Sequence, residues 1–357
     1  MLRRAFALAL LLPLHAAAQP ADHLTFALQT RPLRGLQGPI ATLLTTGQEG
    51  GGLPMAALAV PSGEADEKGR FPVPLLVEIE GNGLLSGRRP GAEIQRLEIY
   101  AYAMGPDGAV NDYLAQGLSL DLAQIGEVVL DGGVKFVGMV AMPAGAGSLR
   151  VLVVDPDTLR YSLRVLPLTV PSAAAGPVLL PPLFSDPRGR WVLARPAESE
   201  GLERSLAPLL VDEGWGLPSS LPLLAGGRTR RVALLGRGLP AEADEARVTL
   251  EIRTEAGKQI LAVPGTVVER SKTSGLAPER LVCDFDLPKL ETGRYRASVL
   301  MAGVRTPELT VLYLSENPLN EEPIWAQLRR LGGETPPAPV ATAEAPKGRR
   351  RNAELER

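Results

Sequence analysis

The sequence predicts an all-β chain: two β-sandwiches in tandem, followed by a short C-terminal helix and a disordered tail. Three observations predict it. Apolar and polar residues alternate in two separate blocks. Glycine (38) and proline (33) are abundant while aromatic residues make up 4%, the balance that many short strands joined by turns produce. The two blocks also repeat one order of motifs.

The elements follow in chain order. Arg3 and Arg4 form a basic start, Ala5 to Leu14 an apolar stretch and Ala16-Ala17-Ala18 a small-residue site. That is the order of an export signal, so residues 1–18 are read as a signal peptide cleaved before Gln19. The apolar stretch is shorter than the ~20 residues a membrane-spanning helix needs. No cysteine follows the cleavage point, which argues against a lipid anchor, and no later stretch is long and apolar enough to cross a membrane. The mature chain is therefore expected to be soluble and periplasmic or extracellular. Residues 19–54 are read as an N-terminal extension, with an early strand at Leu24 to Leu28 and a flexible loop at Gly47 to Gly52.

The first sandwich is expected over 55–170. Leu75, Val77 and Ile79 alternate with Leu76, Glu78 and Glu80; Leu97, Ile99, Ala101 and Ala103 alternate with Glu98, Tyr100, Tyr102 and Met104. Leu118, Leu120 and Leu122 alternate with Ser119 and Asp121. Such alternation puts one face on a core and the other toward water. Further strands are expected at Val134 to Met142, Leu149 to Val154 and Tyr161 to Val170. Turn chemistry separates them at Gly105 to Gly108, Asp131 to Gly133, Gly145 to Gly147 and Asp155 to Asp157.

Residues 171–227 are read as a linker, Pro171 to Pro177, and a proline-punctuated connecting segment laid against a sandwich. The linker is expected to separate two cores that unfold independently. The second sandwich is expected over 228–315, from the alternation of Val248, Leu250 and Ile252, of Leu281, Cys283, Phe285 and Leu287, and of Tyr295, Ala297, Val299 and Met301. Leu309, Val311 and Tyr313 close it. In both blocks a strand ends in proline (Met142-Pro143, Leu287-Pro288), a glycine turn follows, and the next strand opens on an apolar residue and an arginine (Leu149-Arg150, Tyr295-Arg296). A short helix is expected over 320–332, capped by Asn320 and stopped by Gly332. Residues 333–357 are too rich in proline, alanine and charge to bury a core and are read as disordered. Arg349 to Arg351 in that tail is read as a solvated basic run.

Several chemistries find little footing. A net charge of -2 argues against nucleic acid as a main partner. After the export signal the remaining histidine is His23, ahead of the strands, and no Gly-x-Ser-x-Gly elbow occurs. Cys283 alternates inward and is expected to be a buried, inert thiol; as the single cysteine it excludes an intrachain disulfide. Zinc and other transition metals lack histidine and cysteine ligands. Calcium has oxygen donors to draw on, best at Asp112, Asp155 and Asp157, though Asp-Pro-Asp is also ordinary turn chemistry. Phosphate-loop signatures are absent. No catalytic, cofactor-binding or metal site residue is assigned.

Leu290-Glu291-Thr292-Gly293-Arg294-Tyr295 resembles the tyrosine corner of immunoglobulin-like sandwiches, a structural device in which the tyrosine hydroxyl bonds back to the chain just upstream. The resemblance implies tandem immunoglobulin/fibronectin-III-like sandwiches. A second resemblance covers about Pro72 to Pro177. Val73-Pro74-Leu75-Leu76-Val77-Glu78-Ile79, Leu97 to Ala103 with Asp107-Gly108, Leu149 to Asp155 and Leu168-Thr169-Val170-Pro171 resemble the portion that follows the von Willebrand factor A-related domain in large secreted bacterial proteins. In that family the portion looks like an accessory β-sandwich. The A domain itself and its Asp-x-Ser-x-Ser metal-adhesion motif are absent, so metal-dependent adhesion does not carry over.

Two functions are therefore expected in order. The first is an exported, non-catalytic binding or structural module of the cell envelope or secretome, presenting sheet surfaces to a protein or polysaccharide. The second is a hydrolase or lyase that acts on an envelope or extracellular polymer with carboxylates alone.

Overall fold

The computed structural model describes residues 26–33, 38–88, 91–172, 176–186, 191–197, 202, 206, 209, 217–239, 247–271 and 278–315. The expected signal peptide, His23, the 320–332 helix and the 333–357 tail lie outside the described residues. The elements in chain order are β1 (Phe26–Pro32), α1 (Gly38–Thr46), β2 (Gly50–Gly51), β3 (Met55–Ala59), β4 (Arg70–Ile79), α2 (Gly81–Leu85), β5 (Ile94–Met104), β6 (Val110–Asp121), α3 (Leu122–Asp131), β7 (Val134–Pro143), β8 (Gly145–Asp155) and β9 (Arg160–Val170). They continue with β10 (Val178–Leu179), β11 (Leu183–Phe184), β12 (Val192–Pro196), β13 (Leu223–Ala225), β14 (Arg228–Arg237), β15 (Val248–Thr254), β16 (Gln259–Ser271), β17 (Glu279–Leu287), β18 (Gly293–Met301), β19 (Val304–Arg305) and β20 (Leu309–Leu314).

The chain is mostly β, arranged as two curled sheets. The first runs β2-β9-β8-β5-β6-β1-β12-β7-β4-β3. β1 is its corner. Phe26–Thr30 pair parallel with β12, and Arg31–Pro32 then pair antiparallel with β6. The curl brings Val73, Leu75 and Val77 of β4 into one core with Leu97, Ile99 and Ala101 of β5 and Val151 and Val153 of β8. In the second sheet, β10-β14-β17-β16-β15-β18-β20-β13, the corner is β16. Its first half pairs with β15 up to Gly265, and from Gly265 onward it pairs with β17. Val232 and Leu234, Leu250 and Ile252, Cys283 and Phe285, and Val299 and Tyr313 fill the core it encloses.

The period-two faces are as read; what covers their outer sides differs. Tyr100, Tyr102 and Met104, placed toward water by alternation, are buried with Leu152, Val154 and Leu163 under Ile40 and Leu44 of α1. The 19–54 extension thus supplies a lid. Arg150 holds its end: the guanidinium donates to the Leu44 carbonyl at 2.8 Å and to that of Thr45, capping the last turn of α1. Leu76, Glu78 and Glu80 are buried as well. The Gly47 to Gly52 loop contributes β2, paired with β9.

Leu122 does not extend the alternation of β6. Asp121 accepts from the Ala123 amide at 3.0 Å and caps α3, whose Ile125, Val128 and Val129 face the core. Asp131 to Gly133, read as a turn between strands, is the end of that helix. Beneath α3, Gly81 is required by close approach, since a Cβ there would lie 1.6 Å from the Val129 carbonyl oxygen.

The 171–227 segment does more than connect. β12 is inserted in the first sheet between β1 and β7, while β10 and β11 pair with β14 of the second. Both sheets belong to one compact unit. Their outer faces meet through Leu58, Val60 and Leu76 on one side and Leu180, Leu183, Ala233 and Leu235 on the other. Arg237 crosses the same boundary, donating to the Gly63 carbonyl at 2.6 Å with its guanidinium 5.2 Å from the centre of the Phe71 ring.

Candidate binding surfaces

The boundary between the sheets holds a buried ionic cluster. Glu78 and Lys135 are directly opposed in the β4–β7 register. The Lys135 ammonium lies 3.1 Å from Glu78, 2.9 Å from Asp186 and 3.2 Å from the Pro218 carbonyl, and 4.8 Å from the centre of the Trp191 ring. Glu78 also accepts from the Ser220 amide at 2.9 Å. The three charged side chains are only 1–4% exposed. No substrate reaches carboxylates enclosed to that degree, so the cluster is a joint between the sheets.

Among the described residues, a polar and an apolar cleft open to solvent. The polar one, about 440 Å³, lies between residues 91–96, at the start of β5, and the β8–β9 turn, and contains Asp155 and Asp157. Asp155 accepts from the Asp157 amide at 2.9 Å and from the Thr158 hydroxyl at 2.7 Å; Asp157 is held in a two-point pair by Arg96. Both carboxylates are thus engaged by turn donors or by a cation. Asp112 belongs to the opposite end of the same strands, accepting from the Ala141 amide at 2.8 Å. The three calcium candidates therefore do not converge.

The apolar cleft, about 400 Å³, lies along β3 and the last half of β9. Residues 178–181 and 307–309 of the second β region form its remaining wall, and no aromatic residue lines it. Nothing in the alternation pattern marks this cleft, because it is defined by sheet order; the small residues Ala57 and Ala59 are the one local sign.

Cys283 sits in the second core with no exposed surface, and burial pushes its thiol up to about 12. A bulky thiol reagent is expected to label it only after denaturation; rapid labelling of the native chain would contradict its placement. The Tyr295 hydroxyl donates to the Glu291 carbonyl at 2.9 Å, with its ring packed over Gly293. Burial raises the Tyr295 phenol pKa, helped by Glu291 nearby. The sequence did not mark its neighbour Tyr313 as a polar anchor. Tyr313 is fully buried, lies edge-on to Tyr295 at 6.2 Å, donates to the Pro288 carbonyl and is pushed up to about 12 by burial. Tyr313→Phe is expected to cost about 1–3 kcal/mol because it strands a buried carbonyl, and Tyr295→Phe, at a half-exposed ring, about 0.5–1.5. Urea unfolding of the two variants checks the order, and a larger loss at Tyr295 would reverse the assignment.

No family model matches the chain, and no curated protein matches it. Among solved structures it is similar to the C-terminal domain of the Streptococcus pyogenes antigen I/II-family protein AspA, at 9% identity and a TM-score of 0.23, over 73% of this chain and 99% of that one. A likeness at that level assigns neither fold nor function.

Proposed function

We propose that this chain is an exported, non-catalytic binding module of the cell envelope or secretome, built as two immunoglobulin-like sandwiches in tandem. The observation that carries the reading is where its surfaces are spent. Asp155 and Asp157, the acids in the polar cleft, are tied up by turn groups and Arg96, whereas the apolar cleft offers mostly alanine, leucine, valine and proline side chains. The hydrogen bond from Tyr295 to Glu291 supports the immunoglobulin-like reading of the second sheet. The basic, apolar and small residues over 1–18 support export. The strand motifs from Pro72 to Pro177 support an accessory role like that of the portion following von Willebrand factor A-related domains.

Two measurements test it. Intact mass of the protein from native envelope should show a chain beginning at Gln19, and a retained Met1 would overturn export. Pull-down from an envelope extract with the full mature chain should retain a saturable partner, and turnover of an envelope polymer by the purified chain would overturn the non-catalytic reading.

A further inference from the structure

We propose that the apolar cleft beside β3 is a strand-addition site, and that its occupant is an extended peptide segment of a partner protein with small or β-branched apolar side chains at alternate positions. The proposal rests on the binding-module reading and narrows it from protein or polysaccharide to peptide.

β3 is an end strand of the first sheet, paired only with β4. Its ladder fixes which groups point where. Pro54 accepts from Glu80, Val60 donates to Pro74 and Ser62 donates to Pro72, so the even-numbered residues turn their N–H and C=O groups toward β4. The odd-numbered ones, Met55, Ala57 and Ala59, turn theirs away; Pro61, on the same side, offers only a carbonyl. Among the described residues the outward groups of Ala57 and Ala59 meet no backbone partner. Ala57, Ala59 and Pro61 are also residues that line the cleft. The open side of the ladder and the cavity are therefore the same place.

The edge across the cleft is treated differently. On β9 the Tyr161 carbonyl accepts from Leu53 at 3.2 Å, and the Val165 amide donates to the Glu49 carboxylate at 2.7 Å. Pro167, next on the outward side, has no N–H to offer. A side-chain plug and a proline are the ordinary means of closing an exposed edge. β3, Met-Ala-Ala-Leu-Ala, carries no charge, and its outward side meets a proline only beyond Ala59, at Pro61. Its alanines let another backbone come close, and Leu166, Leu168 and Leu180 give an added strand an apolar bed.

The chemistry of the lining selects the occupant. Saccharide rings need hydroxyl partners and stack on aromatic faces, and the cleft supplies no ring and few polar groups. An extended backbone supplies the donor and acceptor rows that Ala57 and Ala59 lack, with alternate side chains turned toward the apolar bed.

The test is selection of a displayed random-peptide library, about seven residues long to match the edge, on the full mature chain. Enriched peptides should alternate small or β-branched residues. When a synthetic copy binds, the Ala57 and Ala59 amides should exchange more slowly with solvent. Ala57→Pro removes one outward donor while leaving the bonds to β4, and should weaken binding about three- to tenfold. Thr169→Trp, from an exposed position on the β9 wall, fills the cleft and should abolish binding without touching β3. No enrichment, equal binding to both variants, or unchanged amide exchange would each overturn the proposal. An envelope partner that both variants retain would leave the module reading standing and remove this site from it; no envelope partner even for the wild-type chain would remove the module reading.

Discussion

Lys135→Met is expected to destabilise the protein by about 3–5 kcal/mol, the largest effect of any single substitution considered. Methionine keeps most of the volume. It removes the ammonium that lies against both Glu78 and Asp186, two enclosed carboxylates. The cost comes from buried carboxylates that keep their charge after losing this cation, more than from the lost attraction, because a buried ion pair does little better than break even against its own desolvation. That distinction has its own check. Adding Glu78→Gln and Asp186→Asn to Lys135→Met should recover much of the loss, since the residual charges are gone. Urea unfolding of the single and triple variants measures both. A loss under about 1 kcal/mol for the single variant would mean that water reaches the cluster.

A fragment ending at residue 175 should show no cooperative unfolding transition. It would lack β12, so β1 and β7 would each lose a parallel neighbour from the middle of the first sheet. It would also lose Asp186 and Trp191 from around Lys135, and expose Leu58, Val60 and Leu76. The Pro171 to Pro177 stretch resembles a linker in composition, yet the chain returns across it to complete the first sheet. Denaturant unfolding followed by circular dichroism decides the matter: a sharp transition in the fragment, at the midpoint of the full chain, would show that β12 is dispensable.

Which side of a strand each residue occupies was legible. Leu75, Val77 and Ile79, Leu97, Ile99 and Ala101, and Leu281, Cys283 and Phe285 all point into cores as alternation required. What covers the opposite side was not, because period two reports a face and says nothing of its neighbour. Glu78 reads as a solvated residue in sequence, and its cation comes from Lys135, a cross-strand partner that only register reveals. A hint was present in Leu76, an apolar residue on the same face. β12 escaped notice because parallel central strands of this length carry no turn of their own and no clear alternation. α3 escaped because Leu118, Leu120 and Leu122 continue one period while Leu122, Ile125 and Val129 begin another, with Asp121 the residue at the change. The apolar cleft depends on which strand ends the sheet, a property of topology that no local pattern encodes.

The corner made by β1 also sets a timetable. Phe26 is among the earliest described residues to be synthesised, and its parallel neighbour Val192 follows only after ten other strands have emerged. Until then neither β1 nor β7 has its final partner on that side, and the first sheet stays open in the middle. Pairings so distant in sequence form slowly, since the intervening chain must be closed into a loop before the contact contributes anything. The N-terminal region is thus kept from locking shut while the rest of the polypeptide is being made, a delay in keeping with the export proposed above.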